Sequence, residues 1–299
     1  MKKPPKEVKL SVVILNHDTR DLLRQCLGSL PNRPGYEIIV IDAASHDKSA
    51  TMVETEFPAV KLIKSRTNSG YTRGNNLARK ITRGEYVLFL NSDTKAFPDT
   101  LETMVRLMDS NSEIGVSTCL TQLPDGRLYY ACHRGFPTPW NSLCYFSGLA
   151  RLFPKSKLFA GYSLSYLSLD TIHEIDACSG TFLLIRKDLL DRIGWFDEDY
   201  FSYGEDLEMC YRAKELGYKV MFNPKVKILH YWGASSGLKT TSKPVASADR
   251  ATSERWNRAR YDAMKIFYDK HYRAKYPAFF SAIVYRAVDL FSILRRGKD

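Results

Sequence analysis

"YVLFLNSDT", residues 86–94, runs through five apolar or aromatic residues and then breaks into Asn-Ser-Asp-Thr. Apolar character at every position, rather than at alternate ones, marks a strand covered on both faces, as in a parallel sheet between two helical layers. Its ending admits two readings. Asn, Ser and Asp bond their own backbone and terminate strands, so the stretch can be a turn capping the next helix. Alternatively, ligands of open α/β sheets bind beyond the carboxyl ends of the strands, and polar residues there serve chemistry.

The neighbouring stretches favour the second reading. "KLSVVIL" (core 10–15), "YEIIVID" (36–42) and "VKLIKS" (60–65) read as strands, as does "EYVLFLN" (85–91). Helical stretches fall between them near 19–30, 47–57 and 74–83. Alternation of this kind predicts an α/β fold with a mainly parallel central sheet flanked by helices. The first strand then ends at Asn16-His17-Asp18, the second at Asp42 and the fourth at Asn91-Ser92-Asp93. Three polar, partly acidic ends on one sheet edge make a site geometry. "NSGYTRGNN" (68–76) brings Gly70 and Gly74 for close backbone approach, with Arg73 as a planar fork suited to phosphate oxygens. Neither a GxGxxG fingerprint nor a P-loop is present. The acidic edge and this loop together suggest a diphosphate held with a divalent cation, Mg²⁺ or Mn²⁺.

The second half opens with a predicted strand containing the small patch Ala177-Cys178-Ser179-Gly180. An acidic, aromatic loop, "GWFDEDYFSYGED" (194–206), leads into a helix with Leu207, Cys210 and Tyr211 on its buried face. Glu205 and Asp206 fall in that helix's first turn, where carboxylates also serve merely as dipole partners. His230 sits at a strand end in "VKILHYWG" (226–233).

Length and composition bound the rest. A chain of 299 residues, 44% hydrophobic, suits one large α/β domain with an appendage, or two small domains. Six scattered cysteines, without a CxxC pair or a signal-peptide pattern, predict reduced thiols in the cytoplasm. The net charge of +11 is uneven: residues 239–299 hold 14 Lys/Arg against 6 Asp/Glu. Without zinc-finger spacing, this basic tail points to an anionic membrane surface and not to nucleic acid. In "YPAFFSAIVYRAVDLFSILRR" (276–296), Phe280, Ile283, Val284, Ala287, Leu290, Phe291 and Leu294 share one helical face, with Arg286, Arg295 and Arg296 elsewhere. The helix either packs on the domain or lies in a membrane interface.

Together these stretches carry a resemblance. "VVILNHDTRDLLRQCLGSL", "IIVIDAASHDKS", "NSGYTRGNNLA", "FLNSDT", "SGTFLLIRKDLLDRIGWFDEDYFSYGEDLEMCYRAKELGY" and "VKILHYWGASSG", in this order, resemble an inverting family 2 glycosyltransferase of the GT-A fold. The similar branch includes bacterial rhamnosyltransferases of cell-surface polysaccharide assembly. The resemblance implies a GT-A catalytic domain over 1–232. It comprises a nucleotide-sugar-binding half (1–122), a variable acceptor-side excursion rich in aromatics such as Trp140, Tyr145, Phe146 and Tyr162 (123–173), and a catalytic half (174–232). A linker or lid (233–252) and a basic helical tail (253–299) follow.

Residue by residue, the resemblance implies that Asn16, Asp42, Arg73, Asn75, Asn91 and Ser92 line the donor nucleotide and sugar. "NSD" matches the family's metal-binding element, with Asn91 in place of its first aspartate, Asp93 as its last, and His230 completing the metal set. Asp206 would be the general base, and Glu205, Trp195 and Asp197 would meet the acceptor. The implied reaction moves a sugar from a dTDP- or UDP-linked donor, best dTDP-L-rhamnose, to a lipid-linked glycan at the inner face of the membrane. A UDP-hexose or UDP-HexNAc donor is the nearest alternative. A sugar nucleotidyltransferase would carry a Gly-rich basic loop after the first strand, which "LNHDTRDLL" lacks. A non-catalytic scaffold would need neither metal ligands nor base.

Overall fold

The computed structural model describes residues 7–231 and 250–295. The expected linker or lid at 233–252 lies, up to residue 249, outside the described residues. The first half runs β1 (Leu10–Asn16), α1 (Arg20–Ser29), β2 (Tyr36–Ala43), α2 (Ser49–Glu56), β3 (Lys61–Ser65), α3 (Tyr71–Asn76), β4 (Tyr86–Leu90), β5 (Thr94–Ala96), α4 (Thr100–Ser110) and β6 (Ile114–Gln122). Then come α5 (Pro139–Phe146), α6 (Leu149–Leu152), β7 (His173–Ile175), β8 (Phe182–Arg186), α7 (Lys187–Ile193), α8 (Glu205–Glu215) and β9 (Lys219–His230). The chain closes with α9 (Arg250–His271) and α10 (Ala278–Arg295).

Among the described residues nine strands form one sheet, ordered β3-β2-β1-β4-β8-β6-β9-β5, with β7 also on β9. From β3 to β4 the strands are parallel, as the apolar runs predict. Beyond β4 the sheet becomes mixed: β8 is antiparallel to both β4 and β6, while β6 and β9 run parallel. Two apolar layers cover it. Leu10, Val12 and Ile14 pack on one face with Leu23, Cys26 and Leu27 of α1 and Met104 of α4. Val13, Ile39, Ile41 and Phe89 face the other side, against Trp195, Phe196 and the α8 residues Leu207 and Cys210.

Three local expectations change. The third helix is shorter and earlier than 74–83, because α3 ends at Asn76 and a 3₁₀ turn follows at Leu77–Lys80. The small patch Ala177–Gly180 lies in the connection between β7 and β8, not in a strand. Gly180 is required there by close approach, since a Cβ would stand 2.9 Å from the Tyr71 hydroxyl. The tail is a hairpin of two helices. Phe267 and Tyr268 of α9, with Tyr272 just after it, are buried in the main core, where Phe267 meets Tyr211 of α8 edge-on at 5.8 Å. α10 folds back on α9 through a hydrogen bond of 2.9 Å between the Tyr268 and Ser281 hydroxyls. The expected single apolar face of α10 is thereby split: Val284 packs on the core, while Ile283 and Leu290 are exposed.

α9 is therefore part of the domain. Phe267→Ala should destabilise the protein by about 3–5 kcal/mol, the usual cost of emptying a buried aromatic site. Chemical denaturation of the variant against the parent chain checks this.

Candidate active site

Parallel pairing of β1 with β2 aligns Asn16 with Asp42. Asn16 Nδ2 lies 3.4 Å from Asp42 Oδ1, and Asp42 Oδ2 accepts the Ser45 amide at 3.1 Å. The Thr19 hydroxyl donates to Asn16 Oδ1 at 2.6 Å and lies 2.9 Å from Ser92 Oγ. One buried polar chain thus joins the ends of β1, β2 and β4, three of the expected donor-side positions. Asn91 follows β4, half-buried, with its amide donating to Thr181 O at 3.2 Å. Asn75 is buried in α3 and donates to Tyr71 O at 2.9 Å. Arg73, on the same helix, is exposed and lies 3.5 Å from Glu198.

The short strand β5 turns back onto the end of β9 and pairs Thr94 with His230. His230 Nε2 consequently stands 3.3 Å from Asp93 Oδ1, both side chains buried. His230 Nδ1 is buried without a hydrogen-bond partner, and the Tyr129 ring packs edge-on against the imidazole at 4.9 Å. Among the described residues, no group of three or more His, Cys, Asp or Glu side chains converges. The pair nevertheless suits a cation bridged to substrate: one carboxylate oxygen and one imidazole nitrogen meet, and phosphate oxygens and water complete such sites.

Asp206 and Glu205 begin α8. Asp206 Oδ2 accepts the Gly180 amide at 3.1 Å and pairs with Arg134 Nη2 at 2.7 Å, with both side chains largely buried. Asp206 Oδ1 accepts the Leu207 amide at 2.7 Å, which leaves that oxygen a lone pair for an incoming hydroxyl. Arg134 also donates to Cys178 O at 3.1 Å. Glu205 has no such partner: its Oε2 is buried and unbonded. Burial, reinforced by the neighbouring Asp206 charge, pushes its carboxyl up to about 8, so it is neutral at pH 7. Two adjacent carboxyls in different settings are thereby set for different tasks.

Two expected acceptor residues lie elsewhere. Trp195 is fully buried, edge-on to Phe89 at 5.8 Å, and donates Nε1–H to Asp191; it is a core residue with no surface for a sugar. Asp197 is taken up by Lys270 of α9 at 2.5 Å, so its carboxylate clamps the tail to the loop before α8. Conversely, Arg134 and Tyr71, whose hydroxyl donates to Gly180 O at 2.9 Å, were missed. No local signal marks Arg134, because its carboxylate partner lies 72 positions away in the sequence.

The chain matches the model of "Glycosyl transferase family 2" over residues 11–194. It is 25% identical over 233 residues to rhamnosyltransferase WbbL of Escherichia coli strain K12, covering 74% of this chain and 82% of that protein. The N-acetylglucosaminyl-diphospho-decaprenol L-rhamnosyltransferase of Mycobacterium tuberculosis H37Rv is 24% identical over 253 residues, covering 79% and 80%. The chain spans only 26% of another relative, the uncharacterized protein y4gI of Sinorhizobium fredii. The mannosyltransferase PcManGT from Pyrobaculum calidifontis, solved with GDP-Man and Mn²⁺, has the same fold: TM-score 0.55, 15% identity, 98% of this chain and 90% of that one.

Glu205 generates a test of the site's electrostatics. A carboxyl raised from its ordinary 4.5 to about 8 binds a proton in the folded state that the unfolded chain has released. Its contribution is present below about 4.5 and is lost as pH rises toward 8. Glu205→Gln should flatten the fall in unfolding free energy between pH 5 and 8, measured by denaturant titration without nucleotide. Parallel pH profiles for parent and variant would contradict the buried neutral carboxyl. The family match, which runs from β1 to the end of α7 and so takes in the strand ends described above, shows that this chain belongs to glycosyl transferase family 2.

Proposed function

We propose that this protein transfers a sugar, with inversion, from a nucleotide-sugar donor to a lipid-linked glycan. The observation that carries the reading is the placement of three polar groups at one sheet edge. The Asn16–Asp42–Ser92 network offers a nucleoside seat, Asp93 with His230 a cation seat, and Asp206 a base, tied to the same edge through Gly180. Mg²⁺ or Mn²⁺, held by Asp93 and His230 with Asn91 alongside, would neutralise the charge that grows on the departing diphosphate.

The chain's own residues do the rest. Asp206 takes the proton of the acceptor hydroxyl as that oxygen attacks the anomeric carbon, in one displacement without an enzyme nucleophile. Arg134 and the Gly180 amide fix the carboxylate's direction through Oδ2, leaving Oδ1 to receive the proton. Neutral Glu205 can donate a hydrogen bond to the acceptor without adding negative charge beside the base. Asn75 and Arg73 of α3 border the donor side.

The two rhamnosyltransferase relatives favour dTDP-L-rhamnose as donor, and the decaprenol-linked substrate in one relative's name favours a polyprenyl-diphosphate-linked acceptor. Such an acceptor places the enzyme peripherally at the inner face of the cell membrane. No described helix is long and apolar enough to cross a bilayer. A panel of dTDP-, UDP- and GDP-linked sugars with Mn²⁺ or Mg²⁺, scored by thermal shift and then by transfer, tests the donor.

Asp93→Ala should abolish transfer and the cation-dependent part of the nucleotide thermal shift; full activity would refute the cation seat. Asp206→Asn should keep donor affinity while kcat falls by roughly 10²- to 10⁴-fold. If donor affinity falls instead and kcat holds, Asp206 is a binding residue. Arg134→Met should lower kcat less than Asp206→Asn, again at unchanged donor affinity.

A further inference from the structure

Two regions of the molecule carry large apolar side chains that the fold leaves uncovered. On α10 the exposed residues are Phe279, Ile283, Leu290 and Ile293. Their spacing of four, seven and three residues puts them on one stripe of a helix, and exposed Arg286 falls within it. Ser281, on the opposite side, is buried. The second region is the α5–α6 segment and the loop after it. Leu143, Leu152, Phe153 and Leu158 are exposed there, Leu152 at 72%, interleaved with exposed Arg151, Lys155 and Lys157. From Gly126 to Leu169 the sequence has five Lys/Arg and no Asp or Glu.

The regions meet each other and the active site. Phe146 at the end of α5 lies against Phe291 of α10, ring centroids 4.6 Å apart. Tyr145 meets Tyr162 at 5.0 Å, and Tyr162 O accepts the amide of Gly135, the neighbour of Arg134, which pairs with Asp206.

We propose that these two patches are a docking surface for an anionic lipid bilayer. The argument is charge complementarity. Apolar side chains interleaved with lysine and arginine, and free of acids over 44 residues of the excursion, match an interface of acyl chains beneath anionic headgroups. A second copy of the chain set against the same surface would oppose Arg151, Lys155 and Lys157 to their own counterparts. The inference rests on the lipid-linked acceptor only for its purpose; binding itself is independent of the reaction.

The test uses the full chain and sedimentation with vesicles of phosphatidylcholine, with and without phosphatidylglycerol. The parent should bind the phosphatidylglycerol vesicles, less tightly as salt rises, and the neutral vesicles far less. Arg151→Gln with Lys155→Gln and Lys157→Gln should weaken partition by roughly 10²-fold, given the attraction of each cation to an anionic surface. Ile283→Ser with Ile293→Ser should weaken it separately. All these side chains are exposed, so melting temperatures should stay near the parent's, and transfer to a short soluble acceptor should persist. Failure of the parent to bind, or equal binding by the variants, overturns the proposal. So does concentration-dependent self-association that the same variants abolish in the absence of vesicle binding, which would make the surface a dimer contact. Loss of transfer to every acceptor, with vesicle binding intact, would refute the enzymatic reading and leave the docking surface standing.

Discussion

The antiparallel register of β4 and β8, in which Leu90 faces Phe182, is the constraint on which the site depends. It sets the Asn91-Ser92-Asp93 end of β4 beside the small residues that precede β8, and Asn91 N–H closes the pair onto Thr181 O. An all-parallel sheet would leave that flank to another strand end of its own kind. Because the sheet reverses here, the segment entering β8 runs across the edge, and Gly180 presents its amide to Asp206. A side chain at Gly180 would not fit there, because its Cβ would crowd Tyr71. The parallel first half of the sheet and the segment that leads to α8 are thus joined through backbone.

The Arg134–Asp206 pair is the second consequence. An ion pair this far from water gains little net stability, because desolvation offsets most of its Coulomb attraction. What it contributes is direction. Removing either partner would strand a charge, and the remaining group would turn toward water or rearrange. The pair also fastens the 123–173 segment to α8. Gly135 N–H donates to Tyr162 O at 2.8 Å and Arg134 N–H to Ala177 O at 3.2 Å, so the excursion is a packed body with its own contacts.

What could be read from the sequence follows the range of the interactions. The strands of the first half were legible because their burial is local and continuous, and their polar ends stood out against it. Asp93, His230 and Asp206 stand out in the sequence only through motifs, and the contact that brings His230 to Asp93 depends on β5 pairing with β9, across more than a hundred residues. Arg134 lies 72 positions before Asp206, within a stretch whose composition says only aromatic and basic. Trp195 was misjudged for the opposite reason. The resemblance set it toward the acceptor, whereas the backbone turns at Trp195, φ 71°, and sends the indole inward against Phe89.

The tail shows why amphipathicity alone could not decide between packing and exposure. α10 is apolar on two sides, one spent on α9 and the core, the other left open, and a helical projection sums both into one broad face. α9 carries the structural share. Lys270 bridges Asp197 and Asp199, and Trp256 packs on Phe201 and Tyr203, so this helix holds the loop that feeds Glu205 and Asp206 into α8. Gly204, at the turn itself, has φ 79° and abuts Ala263 of α9. The loop cannot shift without disturbing that helix, and Asp206 is therefore positioned from two sides: by Arg134 through its carboxylate and by α9 through its backbone.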